Sequence, residues 1–395
     1  IMKTNNIIFQ KFSYYFLSLI SIVQVAKATL FERNNSSFLD IHPWAFQELL
    51  INYQGGFVRR GFIGNLIYLF DNDGVLFDTL YILVFINFLI FVILINLNLS
   101  NLSNLQKLLF HISIFAPFSI TLFGDYYARK EIFILNFYLA ILFFYKKKKV
   151  KQLIVSIFLV GPLCLLIHEG IAFFLLFPFL IHLLKKIKTS KRVLSLFKIS
   201  MIFIFGVMVL FRGNSQVVRG IYESLSLEDL NLLQSANYSS NAIDAIGWPN
   251  LWYTFKTTYT LFFSGSLIYW SVFFVIILFT ISIIFNLKIR LIYETSQDLL
   301  LKNKEFLLIF PLFLIGYDWG RWIFTLFYLY FFLLIVDKNF QVEKIKFNLN
   351  IAAYLFVSLL TEMPACCIQQ GGTAVTTNYY RIFKSIEITI MNFLN

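Results

Sequence analysis

The sequence predicts an all-α fold, a polytopic bundle of about eleven transmembrane helices that forms one integral membrane domain over residues 1–395. Composition is the first observation behind this prediction: 59% of the residues are hydrophobic, only 14% are charged, and the mean hydropathy is +0.75. A soluble domain carries about 25% charged residues. The second observation is a series of apolar runs of roughly 17 to 25 residues, the length that crosses about 30 Å of hydrocarbon. A soluble core could not bury so many apolar helices, so the lipid bilayer is the expected environment.

The predicted spans follow these apolar runs and end at clusters of charged residues. They cover residues 12–30, 75–97, 107–123, 131–145, 152–167, 171–184, 194–211, 263–287, 305–316, 321–337 and 347–363. The polar segments between them predict two large external loops, over about 31–74 and 212–262. In the first loop we expect an interfacial helix around Trp44–Leu50 and a second one after Gly61.

Lysine predicts the orientation, because the cytoplasmic loops of membrane proteins are enriched in basic residues. Alternation through the predicted spans puts the N-terminus and 19 of the 23 lysines in the cytoplasm. The exceptions are Lys27, Lys130, Lys256 and Lys384. The net charge of +12 follows from the same bias, so no nucleic-acid partner is expected.

Arginine has the opposite distribution. Eight of the ten arginines fall on the external side, namely Arg33, Arg59, Arg60, Arg129, Arg212, Arg219, Arg321 and Arg381. Insertion alone does not place them there, whereas a guanidinium group makes bidentate contacts with phosphate and carboxylate. We therefore predict an anionic substrate, and a lipid-linked phosphate or diphosphate is the first candidate. The alternative is that some of these arginines extend to lipid headgroups.

The first motif is the segment Asn52–Gly64, with the letters NYQGGFVRRGFIG. Its paired glycines allow the backbone to approach a ligand closely or to adopt a positive φ. Arg59 and Arg60 follow at once, and an apolar run comes after them. Backbone N–H groups at a helix start together with two guanidinium groups would bind a diphosphate. The alternative is a tight turn at the membrane surface.

The second motif, Gly124–Glu131, joins the third and fourth predicted spans. Asp125 and Arg129 are four residues apart, so on a helix they would share a face and could form an ordinary stabilising pair. Lys130 and Glu131 add charge at the very start of a span. Such charge is costly unless a partner or a substrate uses it.

The third motif is His168-Glu169-Gly170, which lies between two apolar runs. Ionisable residues in such surroundings are functional candidates, although a structural role is the alternative. His168 and Glu169 could act as a general base and the group that orients it. No second histidine stands at helical spacing, so neither a metal site nor a cofactor is predicted.

The fourth motif, Gly316–Trp322, joins two predicted spans through a short turn. Asp318 and Arg321 are three residues apart and could pair. Trp319 and Trp322 suit either the aromatic belt at the membrane interface or a platform on which a sugar ring stacks.

Asp40 and His42 lie soon after the first predicted span. Asp40 is a further candidate base; its alternative role is to cap the helix expected around Trp44.

Together these features resemble the Wzy-type O-antigen and capsular polysaccharide polymerases of bacteria. The resemblance is one of architecture and covers the whole chain. The residues that carry the resemblance are Gly55–Gly61, His168–Gly170, Asp318–Arg321, Arg212 and Arg219. The best-known polymerases carry arginines in two large external loops. Here one such loop is clear, and the second would have to be the short Gly316–Trp322 connection or the segment after Met363.

The resemblance implies a glycosyltransferase of the bacterial inner membrane, with its active site facing the periplasm. Its reaction would polymerise undecaprenyl-diphosphate-linked oligosaccharide repeat units in lipopolysaccharide or capsule biosynthesis, with a chain-length regulator protein as a possible partner. The diphosphate would be bound by Arg59, Arg60, Arg129 and Arg321. The candidate bases are Glu169, His168, Asp318 and Asp40. The remaining candidates for contact with the substrate are Asp125, Lys130, Arg212, Arg219, Trp319 and Trp322.

Three other functions remain open from the sequence. A glycosyltransferase of the GT-C type would use a polyprenyl-phosphate sugar donor, and such enzymes keep a catalytic carboxylate in the first external loop, where Asp40 lies. An O-antigen ligase would share the external arginines and histidines. A lipid-linked oligosaccharide flippase would need charged residues at several depths, whereas the ionisable residues here gather near one face.

Overall fold

The computed structural model describes residues 2–31, 43–70, 76–123, 126–226, 230–231, 242–247, 256, 259–260, 267–287, 289–315, 318–336 and 349–360. Within these ranges the regular structure is entirely helical, as the sequence predicted. The α-helices are α1 Met2–Ala26, α2 Pro43–Leu50, α3 Phe62–Leu69, α4 Leu76–Asn98, α5 Asn104–Ile112, α6 Pro117–Phe123, α7 Lys130–Lys146, α8 Val150–Ile167, α9 Phe177–Lys186, α10 Lys191–Leu210, α11 Ser215–Glu223, α12 Leu267–Phe285, α13 Ile289–Lys302, α14 Ile309–Ile315, α15 Trp319–Val336 and α16 Leu349–Leu360. Short π-helical turns cover Lys27–Phe31 and Ile171–Leu176, and 3-10 turns cover Leu99–Asn101, Tyr126–Ala128, Asp244–Gly247 and Lys304–Leu308.

Five helical segments in the described ranges are long and apolar enough to cross a membrane. They are Phe12–Leu30, Leu76–Asn101, Val150–Ile167, Lys191–Leu210 and Trp319–Val336, and shorter apolar helices cover Phe273–Phe285 and Leu349–Ser358. Each coincides with a predicted span. The total of about eleven spans and the sides on which the termini lie stay predictions.

Helix α15 lies at the centre of the bundle. In its apolar window 89% of the residues are buried, against 17% for α10, so α15 faces protein on all sides and α10 lies at the periphery. Aromatic side chains form its contacts: the rings of Phe327 and Phe115 stack with centroids 3.9 Å apart. The hydroxyl of Tyr328 donates to the carbonyl oxygen of Phe115, so this buried polar group is satisfied. The start of this central helix carries the fourth motif.

The predicted span 107–123 is not one helix but two, α5 and α6, with a break between them. Pro117 explains the break, because proline disfavours the helical conformation of the residue before it and supplies no N–H. The backbone of Ser113 is extended, and its carbonyl oxygen accepts a hydrogen bond from the hydroxyl of Ser119 at 2.7 Å. A local side chain thus replaces the helical hydrogen bond that the break removes.

Two further predicted spans, 171–184 and 305–316, also depart from a plain α-helix. The first begins as the π-helical turn Ile171–Leu176 and continues as α9, and the second begins as a 3-10 turn and ends as α14. Helix α13 occupies a stretch that was predicted as a loop. The two short helices expected around Trp44–Leu50 and after Gly61 are confirmed as α2 and α3.

Candidate functional site

Charged side chains converge where α2, the loop 51–61, the starts of α7 and α15, and the segment 168–170 meet. We call this group the charged cluster, and its members are Glu48, Arg59, Arg60, Lys130, Glu131, Glu169, Asp318 and Arg321. All four sequence motifs therefore contribute to one site, and residues that contact each other there lie up to 273 positions apart in the chain.

Close backbone packing positions the loop that carries the two adjacent arginines. A Cβ atom on Gly55 would lie 2.3 Å from the carbonyl oxygen of Val217, and one on Gly220 would lie 2.4 Å from Cα of Gly55. Only glycine fits at this crossing of the loop and α11. The backbone N–H of Arg59 donates to the carbonyl oxygen of Phe211 at 2.8 Å, just after α10. The close approach expected of the paired glycines is thus made to a helix of the protein itself.

Arg60 has an unusual backbone. Its φ is +66°, in the left-handed region that residues other than glycine rarely adopt. Its carbonyl oxygen accepts a hydrogen bond of 2.6 Å from Nζ of Lys130, which is fully buried. A conformation of this kind costs on the order of 1–3 kcal/mol and persists where the surroundings over-determine it, often at functional sites.

Glu169 accepts hydrogen bonds from both arginines of the loop. Arg60 forms a fork, with Nε 3.0 Å from Oε2 and Nη2 3.0 Å from Oε1, and Nη1 of Arg59 lies 3.1 Å from Oε1. Burial would raise the pKa of this carboxyl group, but the positive charges of Arg60 and Arg59 outweigh burial and hold the pKa well below its usual range. Glu169 is therefore ionised, and it fixes the orientation of both guanidinium groups.

Glu48 on α2 links this pair to α15. Its Oε2 lies 3.0 Å from Nη2 of Arg321, and its Oε1 lies 3.7 Å from Nη1 of Arg60. Its side chain is only 2% exposed, and its pKa is held low because Arg321 and Lys130 outweigh the effect of burial. Sequence reasoning missed Glu48, although a carboxylate within the largely apolar segment PWAFQELL was a usable signal.

Arg321 is the most buried arginine of the charged cluster, with a side chain that is 2% exposed. It donates from Nε to Oε1 of Glu131, and its Nη1 lies 3.4 Å from Oδ2 of Asp318. The pairing expected from the spacing of Asp318 and Arg321 is thus present. The contacts join acids and bases in alternation, along the path Glu131–Arg321–Glu48–Arg60–Glu169–Arg59.

A cleft opens beside this chain of ion pairs. Its volume is ≈ 290 Å³ when the space at its open mouth is counted, and its lining includes Trp44, Glu48, Arg59, Arg60 and Ile246. The side chains of Arg59 and Arg60 are 30% and 27% exposed, so each guanidinium group touches both Glu169 and the cleft. Within the described part of the chain, Nε and Nη2 of Arg59 and Nη1 of Arg60 donate no hydrogen bond. Donors that could bind an anion therefore remain.

His168 and Arg129 are both buried beside the cluster. Nδ1 of His168 lies 3.4 Å from the backbone N–H of Ile171, which donates to it. Burial and the positive charge of Arg60 lower the pKa of His168 well below its usual range, so the imidazole is neutral.

The two tryptophans of the fourth motif are packed inside the bundle. Trp319 and Trp322 are 5% and 6% exposed, and their ring centroids lie 6.3 Å and 5.5 Å from that of Phe313. Their rings fill space between α14 and α15, where little of either face is left for a sugar.

The two arginines of the second predicted external loop, Arg212 and Arg219, lie at the surface. Arg212 is exposed and near enough to Arg59 for their positive charges to interact. Arg219 pairs with Glu223 at 2.7 Å on an exposed face of α11.

Asp40, His42 and Asp125 lie outside the described residues. Among the residues that are described, no group of three or more histidine, cysteine or carboxylate side chains could hold a metal ion.

Comparison with known proteins gives one match. Residues 16–198 match a protein family described as uncharacterised membrane protein Rv1490. The matched stretch includes Glu48, Arg59, Arg60 and Glu169 but not Arg321, and it covers less than half of the chain. Neither the curated proteins nor the solved structures gave a match. Together with the apolar helices, the match identifies the chain as a helical membrane protein.

Proposed function

We propose that this chain is a glycosyltransferase that polymerises undecaprenyl-diphosphate-linked oligosaccharide repeat units at the periplasmic face of the bacterial inner membrane. The observation that carries the proposal is the position of Arg59 and Arg60, which face an open cleft with donors that no described residue takes, while carboxylates hold them from behind. Bidentate guanidinium contacts suit the oxygens of a diphosphate.

The chemistry of polymerisation explains why the arginines need fixed positions. A hydroxyl of one repeat unit attacks the anomeric carbon of the growing chain, and negative charge builds up on the departing undecaprenyl diphosphate. Donors that are oriented in advance stabilise such charge without reorganisation. Before the substrate binds, Glu169 and Glu48 hold the guanidinium groups in position, since each accepts contacts from two arginines.

The surrounding charge supports the same substrate class. The charged cluster contains three arginines, four carboxylates and Lys130, whose pKa burial lowers to about 7, and Arg129 and Arg212 add two positive charges next to it. The described residues therefore leave a local excess of positive charge, which a diphosphate would neutralise.

The experiment is a gel of surface polysaccharide from strains that carry Arg59→Ala, Arg60→Ala or Arg321→Ala in the native background. Each variant should lose long chains and retain single repeat units, because transfer between units fails while attachment of one unit continues. Arg192→Ala, which removes an exposed arginine on the predicted cytoplasmic side, is the matched control and should keep the full ladder. Normal chain lengths in all three cluster variants, at normal protein levels in the membrane, would overturn the proposal.

A GT-C type glycosyltransferase is the second candidate, and the position of Glu48 favours it. Such enzymes keep a catalytic carboxylate in the first external loop, and Glu48 lies in that predicted loop and lines the cleft beside Arg59. This function predicts that Glu48→Gln abolishes synthesis of the repeat unit itself. Polymerisation predicts instead that single units persist in the same variant.

A further inference from the structure

The carboxylate of Glu169 occupies donors that an anionic ligand would use. Three nitrogen atoms, Nη1 of Arg59 and Nε and Nη2 of Arg60, lie 3.0–3.3 Å from its two oxygens. A fork of this kind binds the oxygens of a phosphate group as readily as those of a carboxylate. Glu169 lies behind the arginines, with a side chain that is 7% exposed, and the cleft lies in front of them.

We propose that Glu169 is the resident occupant of an exchangeable anion site, in which the diphosphate of the donor takes over Arg59 and Arg60 and the released carboxylate becomes the base. The inference rests on the proposed function, because that function supplies the diphosphate. Beyond that function, the inference states that binding of the lipid-linked diphosphate donor converts Glu169 into the base.

In this exchange Glu169 moves and the arginines stay, because the backbones of both arginines are anchored. Arg60 is fixed at its backbone by the hydrogen bond from Lys130, and Arg59 by its N–H bond to Phe211. Glu169 is followed at once by Gly170 and by the π-helical turn Ile171–Leu176. Turns of this type interrupt regular helices and occur often at functional sites.

The surroundings of Glu169 explain why release would make it basic. Arg59 and Arg60 face it from the loop, His168 is its neighbour in the chain, and the positive charge of Lys130 acts on it from α7. Once a diphosphate neutralises the two arginines, the burial of the carboxylate opposes its negative charge, so the carboxylate gains affinity for a proton.

The proposed step is a substitution at the anomeric carbon. The attacking hydroxyl gives its proton to the carboxylate of Glu169 as its oxygen bonds to the anomeric carbon. The bond from that carbon to the diphosphate oxygen breaks, and its electron pair leaves with the diphosphate, which Arg59 and Arg60 hold.

Calorimetric titration of the purified full chain in lipid nanodiscs with inorganic pyrophosphate tests the exchange. Titrations at about pH 6 in two buffers of different ionisation enthalpy give the number of protons taken up on binding. The wild type should take up roughly one proton more than Glu169→Gln, because only the wild type releases a carboxylate that can accept it. Glu169→Gln should also bind about tenfold more tightly, because the internal competitor has lost its charge.

Glu305→Gln is the matched control. Glu305 accepts contacts from Lys185, at the end of α9 remote from Glu169, and from Lys198 at 2.5 Å. This variant removes a carboxylate from a comparable pair of cations and should bind pyrophosphate as the wild type does.

Three results would overturn the exchange. Equal proton uptake by the wild type and Glu169→Gln would mean that pyrophosphate joins Glu169 at the arginines rather than replacing it. Equal affinity of the two proteins would mean that Glu169 is no competitor. A wild type that binds no pyrophosphate, while Arg59→Ala still shortens the polysaccharide, would remove the exchange and leave the proposed function standing. If Glu169→Gln does not fold, the absence of proton uptake by the wild type is sufficient to reject the exchange.

Discussion

The ammonium group of Lys130 and the carbonyl oxygen of Arg60 lie 2.6 Å apart, although 70 residues separate them in the chain. Lys130 is the first residue of α7, and Arg60 holds the left-handed backbone conformation at the end of the arginine loop. The start of one buried helix thus sets the conformation of the loop that carries both arginines of the cleft.

Lys130→Met should therefore destabilise the protein and disorder the loop. The variant leaves a buried carbonyl oxygen without its donor, which costs about 1–3 kcal/mol, and thermal unfolding in detergent should show a lower midpoint. Lys146→Met is the control at the other end of the same helix, where the lysine contacts Asn98 and Ser100 near the surface. An equal fall in both variants would contradict the role assigned to Lys130.

Arg321→Ala should be among the most damaging substitutions in the chain. It strips Glu48 and Glu131 of a buried partner, and breaking a buried ion pair costs about 3–5 kcal/mol. Arg219→Ala removes an arginine whose pair with Glu223 is 80% and 62% exposed, so its effect should stay within about 0.5 kcal/mol. Denaturation of the two variants side by side measures the difference, and similar stabilities would show that the buried pairs contribute little.

Gly220→Ala should separate the arginine loop from α11. A Cβ atom there would meet Cα of Gly55 at 2.4 Å, and two backbones cannot relax as a side chain can, so we expect a loss of about 1–3 kcal/mol. Gly206→Ala makes the same change in α10, where no atom lies within 4 Å of the added Cβ, and it should be neutral or slightly stabilising. Thermal midpoints that do not differ between the variants would refute the close crossing.

Stability should fall in acid because of Glu48 and Glu169. Both have a folded-state pKa well below the ordinary value of 4.5, since burial is outweighed by Arg321 around Glu48 and by Arg60 around Glu169. Groups of this kind contribute stability that is complete above the unfolded pKa and is lost as the pH falls below it.

The unfolding midpoint should therefore change little between about pH 7 and pH 5 on account of these groups, and it should decrease below about pH 4.5. The double variant Glu48→Gln, Glu169→Gln should start lower and show a flatter decrease. A wild-type midpoint that is constant down to about pH 3 would contradict the assigned charges.

Local patterns predicted much of this architecture. Apolar run length located the five long helical segments, and α2 and α3 lie where the two short helices of the first loop were expected. Apolar surroundings drew attention to Glu169, because burial of a charge requires a partner whatever the fold, and the external position of most arginines drew attention to Arg59 and Arg321.

The rest depends on contacts between distant parts of the chain. No pattern around Glu48 shows that it meets Arg321, 273 residues later, and the left-handed backbone of Arg60 follows from a lysine on another helix. The sequence also did not predict that Trp319 and Trp322 are buried, since a tryptophan next to an apolar span can lie at the membrane interface or pack inside the bundle.

The central claim is that this chain joins repeat units on a lipid carrier, and deletion of the gene in its native background tests it most directly. The measurement is a gel of lipopolysaccharide or capsule from the deletion strain and from the same strain with the gene restored. The account predicts that the ladder collapses to the core with a single repeat unit and returns on complementation. An unchanged ladder would contradict it and would assign the arginines of the cleft to another anionic lipid.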